Sequence, residues 1–188
     1  MNDKLFHRLL DVIEENVVPL TVLGVEAGNR VFGAAVLRRD DLSLVAAETN
    51  RAALSPLWHG EIYTIKRFFE LQEHPNPSEC IFLTTHQPCC MCASALAWSG
   101  FNEIYYLYGY KRTRDEFNMP HDLRMNREIF GCDEPNSKNA YFEWRSLYAA
   151  VAELSDPEKA RKRLAVLSQI YDRLAERAEI NESGSIVV

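Results

Sequence analysis

Two short stretches of this chain carry residue types that do chemistry together, His59-Gly60-Glu61 and Pro88-Cys89-Cys90-Met91-Cys92. A histidine, two thiolates and one open position form the three-protein-ligand set of a catalytic zinc, whereas a structural zinc takes four protein ligands. Two thiolates cancel the charge of the dication, and the metal lowers the pKa of a bound water toward neutrality. Attack of such a water on an amino-bearing ring carbon also needs a proton carrier, to the ring nitrogen and then to the departing ammonia. Glu61 suits that task. Two residues beyond His59 in the first turn of a helix, it points away from the ligand direction and still reaches the water on the metal. Cys89 and Cys92 are spaced i, i+3, which puts both sulfurs on one helix face. Cys90 with Cys92 would diverge, so the expected ligands are His59, Cys89 and Cys92. Pro88 suits a helix start, and the helix N-terminus favours thiolate. Cys80 and Cys132 belong to no such motif and read as small buried apolar residues.

The elements that must position these groups follow from periodicity. Leu5, Leu9, Ile13 and Val17 recur at helical spacing, which predicts a helix over 3–17 stopping before Pro19. Residues 31–37 and 42–49 read as a hairpin around Arg39-Asp40-Asp41, with Asn50 ending the second strand. The loop through Ser55, Pro56, Leu57 and Trp58 delivers His59 to a helix of about three turns. A buried strand over 80–85 delivers Pro88-Cys89 to a helix over 90–98, and 103–108 is a further strand. This order implies an α/β fold: a three-layer α/β/α sandwich whose central mixed sheet includes the N-terminal hairpin and has helices on both faces, with the site at strand carboxyl ends. Beyond Tyr110 the pattern predicts helices over 120–130 and 140–154, a loop over 131–138, and a C-terminal helical stripe through Leu164, Leu167, Ile170 or Tyr171, Leu174 and Ala178. Residues 1–154 are expected to form the zinc-site domain. Residues 155–188 are expected to form a helical extension packed on it or on a partner subunit, with a frayed tail over 181–188.

With 188 residues, the chain is long enough for one domain with a full core and a pocket. Its formal net charge of −6 argues against a nucleic-acid grip and favours a small-molecule partner. A local basic cluster, Lys111, Arg112 and Arg114, could grip a phosphate, but it is interleaved with Asp115 and Glu116 and reads better as a solvated turn. No signal peptide or membrane-length apolar run is found, and five cysteines with three crowded at 89–92 suit a reducing compartment, so the expected location is the cytoplasm.

The order His-x-Glu followed by Pro-Cys-x-x-Cys is the signature of the zinc deaminases. At these residues the chain resembles the cytidine and deoxycytidylate deaminase superfamily. His59-Gly60-Glu61-Ile62 and Thr84 to Cys92 are similar to the motifs of free-base members such as cytosine deaminase, and Met91-Cys92-Ala93 also to guanine deaminases. The likeness covers roughly residues 30–110. It implies hydrolytic removal of an exocyclic amino group as ammonia from a nucleobase, nucleoside or related aminated heterocycle, with Glu61 catalytic and Zn2+ as cofactor. It also implies that Asn50 hydrogen-bonds the base, that the Gln87 carbonyl receives the amino group, and that the protein is a homodimer or larger. Gly60 is taken as substrate-side with them, and Trp58 and Trp144 are the aromatic candidates for stacking on the ring. The chain departs from the pattern in a shorter loop from Asn50 to His59, in Trp58, and in His86 and Gln87. Two other functions are carried as alternatives: deamination of a base within RNA, as in the tRNA adenosine deaminases, and a non-catalytic zinc-stabilised binding module.

Overall fold

The computed structural model describes residues 1–115 and 121–184. Glu116 of the charged turn, Pro120 at the head of the expected helix and the last four residues of the tail lie outside the described residues. The chain begins with α1 (Asp3–Val12), continues through a π turn (Ile13–Val17) into α2 (Val18–Glu26), and enters the hairpin β1 (Gly33–Arg38) and β2 (Leu44–Thr49). Then follow α3 (Gly60–Phe69), β3 (Cys80–His86), α4 (Cys90–Trp98), β4 (Glu103–Tyr108), α5 (Tyr110–Asp115), α6 (His121–Phe130), β5 (Glu143–Ser146), α7 (Leu147–Ala150) and α8 (Pro157–Gly184).

The strands form one mixed sheet in the order β2-β1-β3-β4-β5, with β1 antiparallel to both neighbours and β3, β4 and β5 parallel. β3 is buried along its whole length, as a central strand covered on both faces must be, and its sequence is accordingly almost continuous in apolar residues and threonine. One face carries a core built by α1, the π turn, α2, α7 and α8, with Phe6, Leu9, Ile13, Leu164, Leu167 and Tyr171 among its residues. The other face carries α3 and α4, which contribute Phe68, Ala93 and Leu96 against Val36, Phe82 and Ile104. The three-layer architecture and the helical C-terminal part are therefore present as expected.

The first helix does not stop before Pro19. The Val18 N–H donates to the Ile13 carbonyl, one residue further back than in an α-helix, and this π turn lets the chain restart as α2 with Pro19 in its first turn. There a missing N–H removes nothing the helix needs. The expected helix over 140–154 is also corrected. Residues 143–146 alternate, with Trp144 inward and Glu143 outward, and pair with β4 as the edge strand β5. Ser146 then caps the short α7 by accepting from the Ala149 N–H, and Leu147, Ala150, Val151 and Leu154 supplied the helical spacing.

α8 belongs to the same core as α1 and α2. All of Leu164, Leu167, Tyr171, Leu174 and Ala178 are buried in it. Arg163 adds ion pairs to Asp11 and Glu14 of the first helix at 2.7 and 2.8 Å. Partly exposed pairs of this kind contribute about 0–1 kcal/mol each, against roughly 1.5–3 kcal/mol for each fully buried large apolar side chain, so packing holds this helix in place.

Candidate active site

Two loops bring the chemistry to one end of the sheet. After β2, the Arg51 N–H donates to the Trp58 carbonyl at 2.8 Å and the Trp58 N–H to the Ser55 carbonyl at 2.9 Å. This compact loop sets His59 at the N-cap of α3, with extended backbone at φ −60° and ψ 157°. After β3, the Gln87 N–H donates to the Tyr108 carbonyl at 2.7 Å, which prolongs the pairing with β4 and sets Cys89 at the N-cap of α4. Both helix N-termini present positive potential beside the two ligand-bearing residues, and the Cys92 N–H in the first turn of α4 donates to the Cys89 sulfur.

The Nδ1 of His59 lies 3.6 Å from the Sγ of Cys89 and 3.6 Å from the Sγ of Cys92. The three ligand atoms all lie within 4.8 Å of one another. Zn–S bonds of about 2.3 Å and a Zn–N bond of about 2.0–2.1 Å at tetrahedral angles require N···S separations of about 3.6 Å, so the set fits zinc as it stands. Cys89, not Cys90, is the partner of Cys92. Cys90 instead lines a cavity on another side of α4.

Hydrogen bonding from Cys92 and His59 outweighs burial and pulls the Cys89 thiol down to about 4. Burial, with the neighbouring charges of Cys89 and Glu61, pushes Cys92 well above the usual thiol range. The first proton of the pair therefore leaves Cys89, and a divalent cation would displace the second. Glu61, in the first turn of α3, is 5% exposed and touches Cys92 rather than solvent. Burial, and then the Cys89 charge, push its carboxyl up to about 7.

Gly60 is explained by packing. A Cβ there would stand 2.8 Å from the Phe32 carbonyl oxygen and 3.0 Å from the Cα and N of Gly33, so only glycine lets α3 lie this close to the start of β1. Thr64 reinforces the contact by donating to the Gly60 carbonyl at 2.7 Å. Gly60→Ala is expected to lower stability by roughly 1–3 kcal/mol, because backbone atoms cannot yield as a side chain would. The check is a lower thermal midpoint together with reduced zinc content, since the same turn carries His59.

The other expected site residues fall in different places. Asn50 is fully buried just past the end of β2. Its Oδ1 accepts from the Ala52 N–H at 2.9 Å, which fixes the amide orientation, and its Nδ2 has no partner among the described residues. Gln87 is buried, and its Oε1 accepts from the Tyr110 N–H at 3.2 Å. Trp58 is half-buried with its ring edge-on to Tyr63 at 6.1 Å. Trp144 is a core residue: it is buried, stacks on Phe142 at 4.9 Å, and pairs in register with Ile104 and, through it, Phe82. That level lies well before His86, so the structure does not bring Trp144 to the cluster. Cys80 is buried as expected, while Cys132 is only half-buried.

The sequence did not reveal how α8 reaches this end of the sheet. His86 is buried, with ring neighbours Phe32 at 4.6 Å, Tyr108 at 5.2 Å and Tyr171 of α8 at 5.9 Å. Burial, helped by the Arg112 charge, lowers its pKa to about 3, so it is neutral at physiological pH. Arg112 lies 4.0 Å over the Tyr108 ring and donates to Ser168 and Asp172 of α8 at 2.7 and 2.6 Å. It is engaged within the fold rather than presented for a phosphate, while Lys111 is exposed and the Arg114 side chain lies outside the described ones.

Residues 18–108 match the family model for the cytidine and deoxycytidylate deaminase zinc-binding region. Over those residues the chain is similar to the cytidine and deoxycytidylate deaminase superfamily, and its His59, Cys89 and Cys92 cluster suits Zn2+. It is also similar to the guanine deaminase of Bacillus subtilis strain 168, at 28% identity over 95 residues that cover 49% of this chain and 60% of the relative. The match thus spans less than two thirds of the length of that curated relative. The solved structure of guanine deaminase from Bacillus subtilis superposes with a TM-score of 0.54 at 24% identity, covering 77% of this chain and 85% of that one. A guanine deaminase from Nitrosomonas europaea gives a TM-score of 0.50 at 22% identity, covering 79% and 81%. These likenesses establish the fold. Among the described residues no helix is long and apolar enough to cross a membrane.

Proposed function

We propose that this protein is a zinc-dependent hydrolytic deaminase of a free nucleobase, nucleoside or related aminated heterocycle. The observation that carries the reading is Glu61, a carboxylate buried beside the His59, Cys89 and Cys92 triangle without being part of it. A purely structural metal has no use for it. Zinc held by the three residues would supply a Lewis acid that activates water at an open fourth position.

The chain's own residues supply the remainder. Glu61 takes a proton from the attacking water and delivers it to the ring nitrogen beside the amino-bearing carbon. It then passes the second proton to the amino group, so that a C–O bond forms, the C–N bond breaks, and ammonia leaves a ring carbonyl behind. Asn50, with its Oδ1 held by the Ala52 N–H, has Nδ2 available to donate to an acceptor on the ring. The guanine deaminases to which the chain is similar make guanine the first substrate to try.

The test is ammonia release by zinc-loaded protein from guanine, adenine, cytosine, their nucleosides, CMP, and aminated triazines and pterins. Release from one class and not the others supports the reading. Silence across the panel from protein that holds one zinc overturns it and points to RNA or a binding role. With the substrate in hand, Asn50→Ala is expected to lower kcat/KM roughly tenfold to a hundredfold, the loss of one well-placed buried hydrogen bond, while zinc content stays the same. Unchanged kcat/KM would show that the ring is read elsewhere.

A further inference from the structure

The turn that carries Cys89 from β3 into α4 is held by a residue from outside it. The Gln87 N–H donates to the Tyr108 carbonyl at 2.7 Å and extends the pairing with β4 by one step. Pro88 has no N–H, so the ladder cannot continue through it. The next peptide, which joins Pro88 to Cys89, is tied by Tyr110 instead, whose hydroxyl donates to the Pro88 carbonyl. The Tyr110 backbone N–H also donates to Gln87 Oε1 at 3.2 Å, so one residue grips both positions that precede Cys89. Tyr110 is itself well fixed. It is 2% exposed and opens α5, whose Arg112 and Thr113 N–H groups close on the Gly109 carbonyl at 3.1 and 3.2 Å.

This tie acts on the direction of a ligand. Because a peptide unit is planar, holding the Pro88 carbonyl oxygen also holds the Cys89 nitrogen, and with it the backbone from which the Cys89 side chain departs. Cys89 stands there at φ −65° and ψ 172°, with its Sγ 3.6 Å from His59 Nδ1. Metal–ligand distances hold to about 0.2 Å, so a peptide free to tilt would leave the sulfur out of place for part of the time.

We propose that Tyr110 is a positioning residue of the metal site: through the Pro88 carbonyl it presets Cys89 for zinc. It acts through Cys89 and not on the substrate. The role rests on His59, Cys89 and Cys92 as the zinc ligands, whichever heterocycle the protein takes. A phenyl ring at position 110 would fill the same buried space and leave the Pro88 carbonyl without this donor, so the hydroxyl alone carries the effect.

The experiment is competition for Zn2+ between a chromophoric chelator and the full-length chain. Tyr110→Phe should raise the zinc dissociation constant roughly tenfold to a hundredfold, the usual cost of removing a group that orients a metal ligand. With Co2+ in place of zinc, the same variant should show shifted or weakened visible ligand-field bands, because one sulfur is no longer held in direction. Tyr105→Phe is the control. It removes a hydroxyl nearer the start of β4, where Tyr105 donates to Glu103 at 2.8 Å, and should leave zinc affinity and the Co2+ spectrum at wild-type values. Gln87→Leu, which removes the acceptor of the Tyr110 N–H, should weaken zinc binding in the same direction and carries the test if Tyr110→Phe fails to fold. Unchanged zinc affinity in Tyr110→Phe, or an equal loss in Tyr105→Phe, would overturn the proposal and leave the ligand set intact. A wild-type chain that bound no zinc would overturn the ligand set and the proposal together.

Discussion

Glu61→Gln should reduce turnover about 10²–10⁴-fold, the range of a lost general acid–base group, while one zinc stays bound and substrate affinity changes little. Glutamine keeps the shape and a carbonyl oxygen but can neither take the proton from water nor return it. Because Glu61 is 5% exposed and crowded by the Cys89 thiolate, the neutral side chain also relieves an unfavourable burial, so the thermal midpoint should hold steady or rise. Loss of activity with gain of stability is the signature of a residue kept for chemistry. Three readouts check it: ammonia release, metal content, and thermal denaturation of the zinc-loaded protein. If zinc left along with activity, Glu61 would belong to the ligand set. If turnover survived, the proton carrier would be another group.

What the sequence made legible was whatever depends on close spacing. His59 and Glu61 sit two apart and Cys89 and Cys92 three apart, and such offsets have one geometric meaning at a helix start. The bounds of α4 and β4 and the buried stripe of α8 were readable for the same reason, since uninterrupted periodicity specifies the face that turns inward. Pro19 misled because a π turn hides the extra residue that accommodates it. β5 was missed because four residues give too short an alternation to outweigh the helical spacing that follows. Contacts distant in sequence were illegible altogether. Neither the approach of Asp172 to Arg112 nor the placement of Trp144 in the core follows from any local pattern. The Asn50 Nδ2, without a partner among the described residues, also becomes visible only when every neighbour is in place.

Cys92→Ser should abolish stable zinc binding and with it all activity. Cys92 is 0% exposed and meets His59 Nδ1 at 3.6 Å, so its sulfur is a buried corner of the ligand triangle. A serine hydroxyl does not ionise near neutral pH and is a poor zinc ligand, which leaves two ligands where three are needed. The consequence reaches beyond chemistry, because the metal would bind the start of α3 through His59 to the start of α4 through Cys89 and Cys92. A ligand present at a hundred to a thousand times its dissociation constant stabilises the folded state by about 2.7–4.1 kcal/mol. In a chain of this size that corresponds to a shift in thermal midpoint on the order of 5–15 °C. Wild-type protein should lose that increment on chelation and regain it with added zinc, whereas Cys92→Ser should respond to neither. Cys90→Ser is the internal control. Its side chain faces the cavity on another side of α4, so it should keep zinc, activity and the chelator response. A Cys90→Ser variant that lost its metal, beside a Cys89→Ser variant that kept it, would reassign the ligand pair.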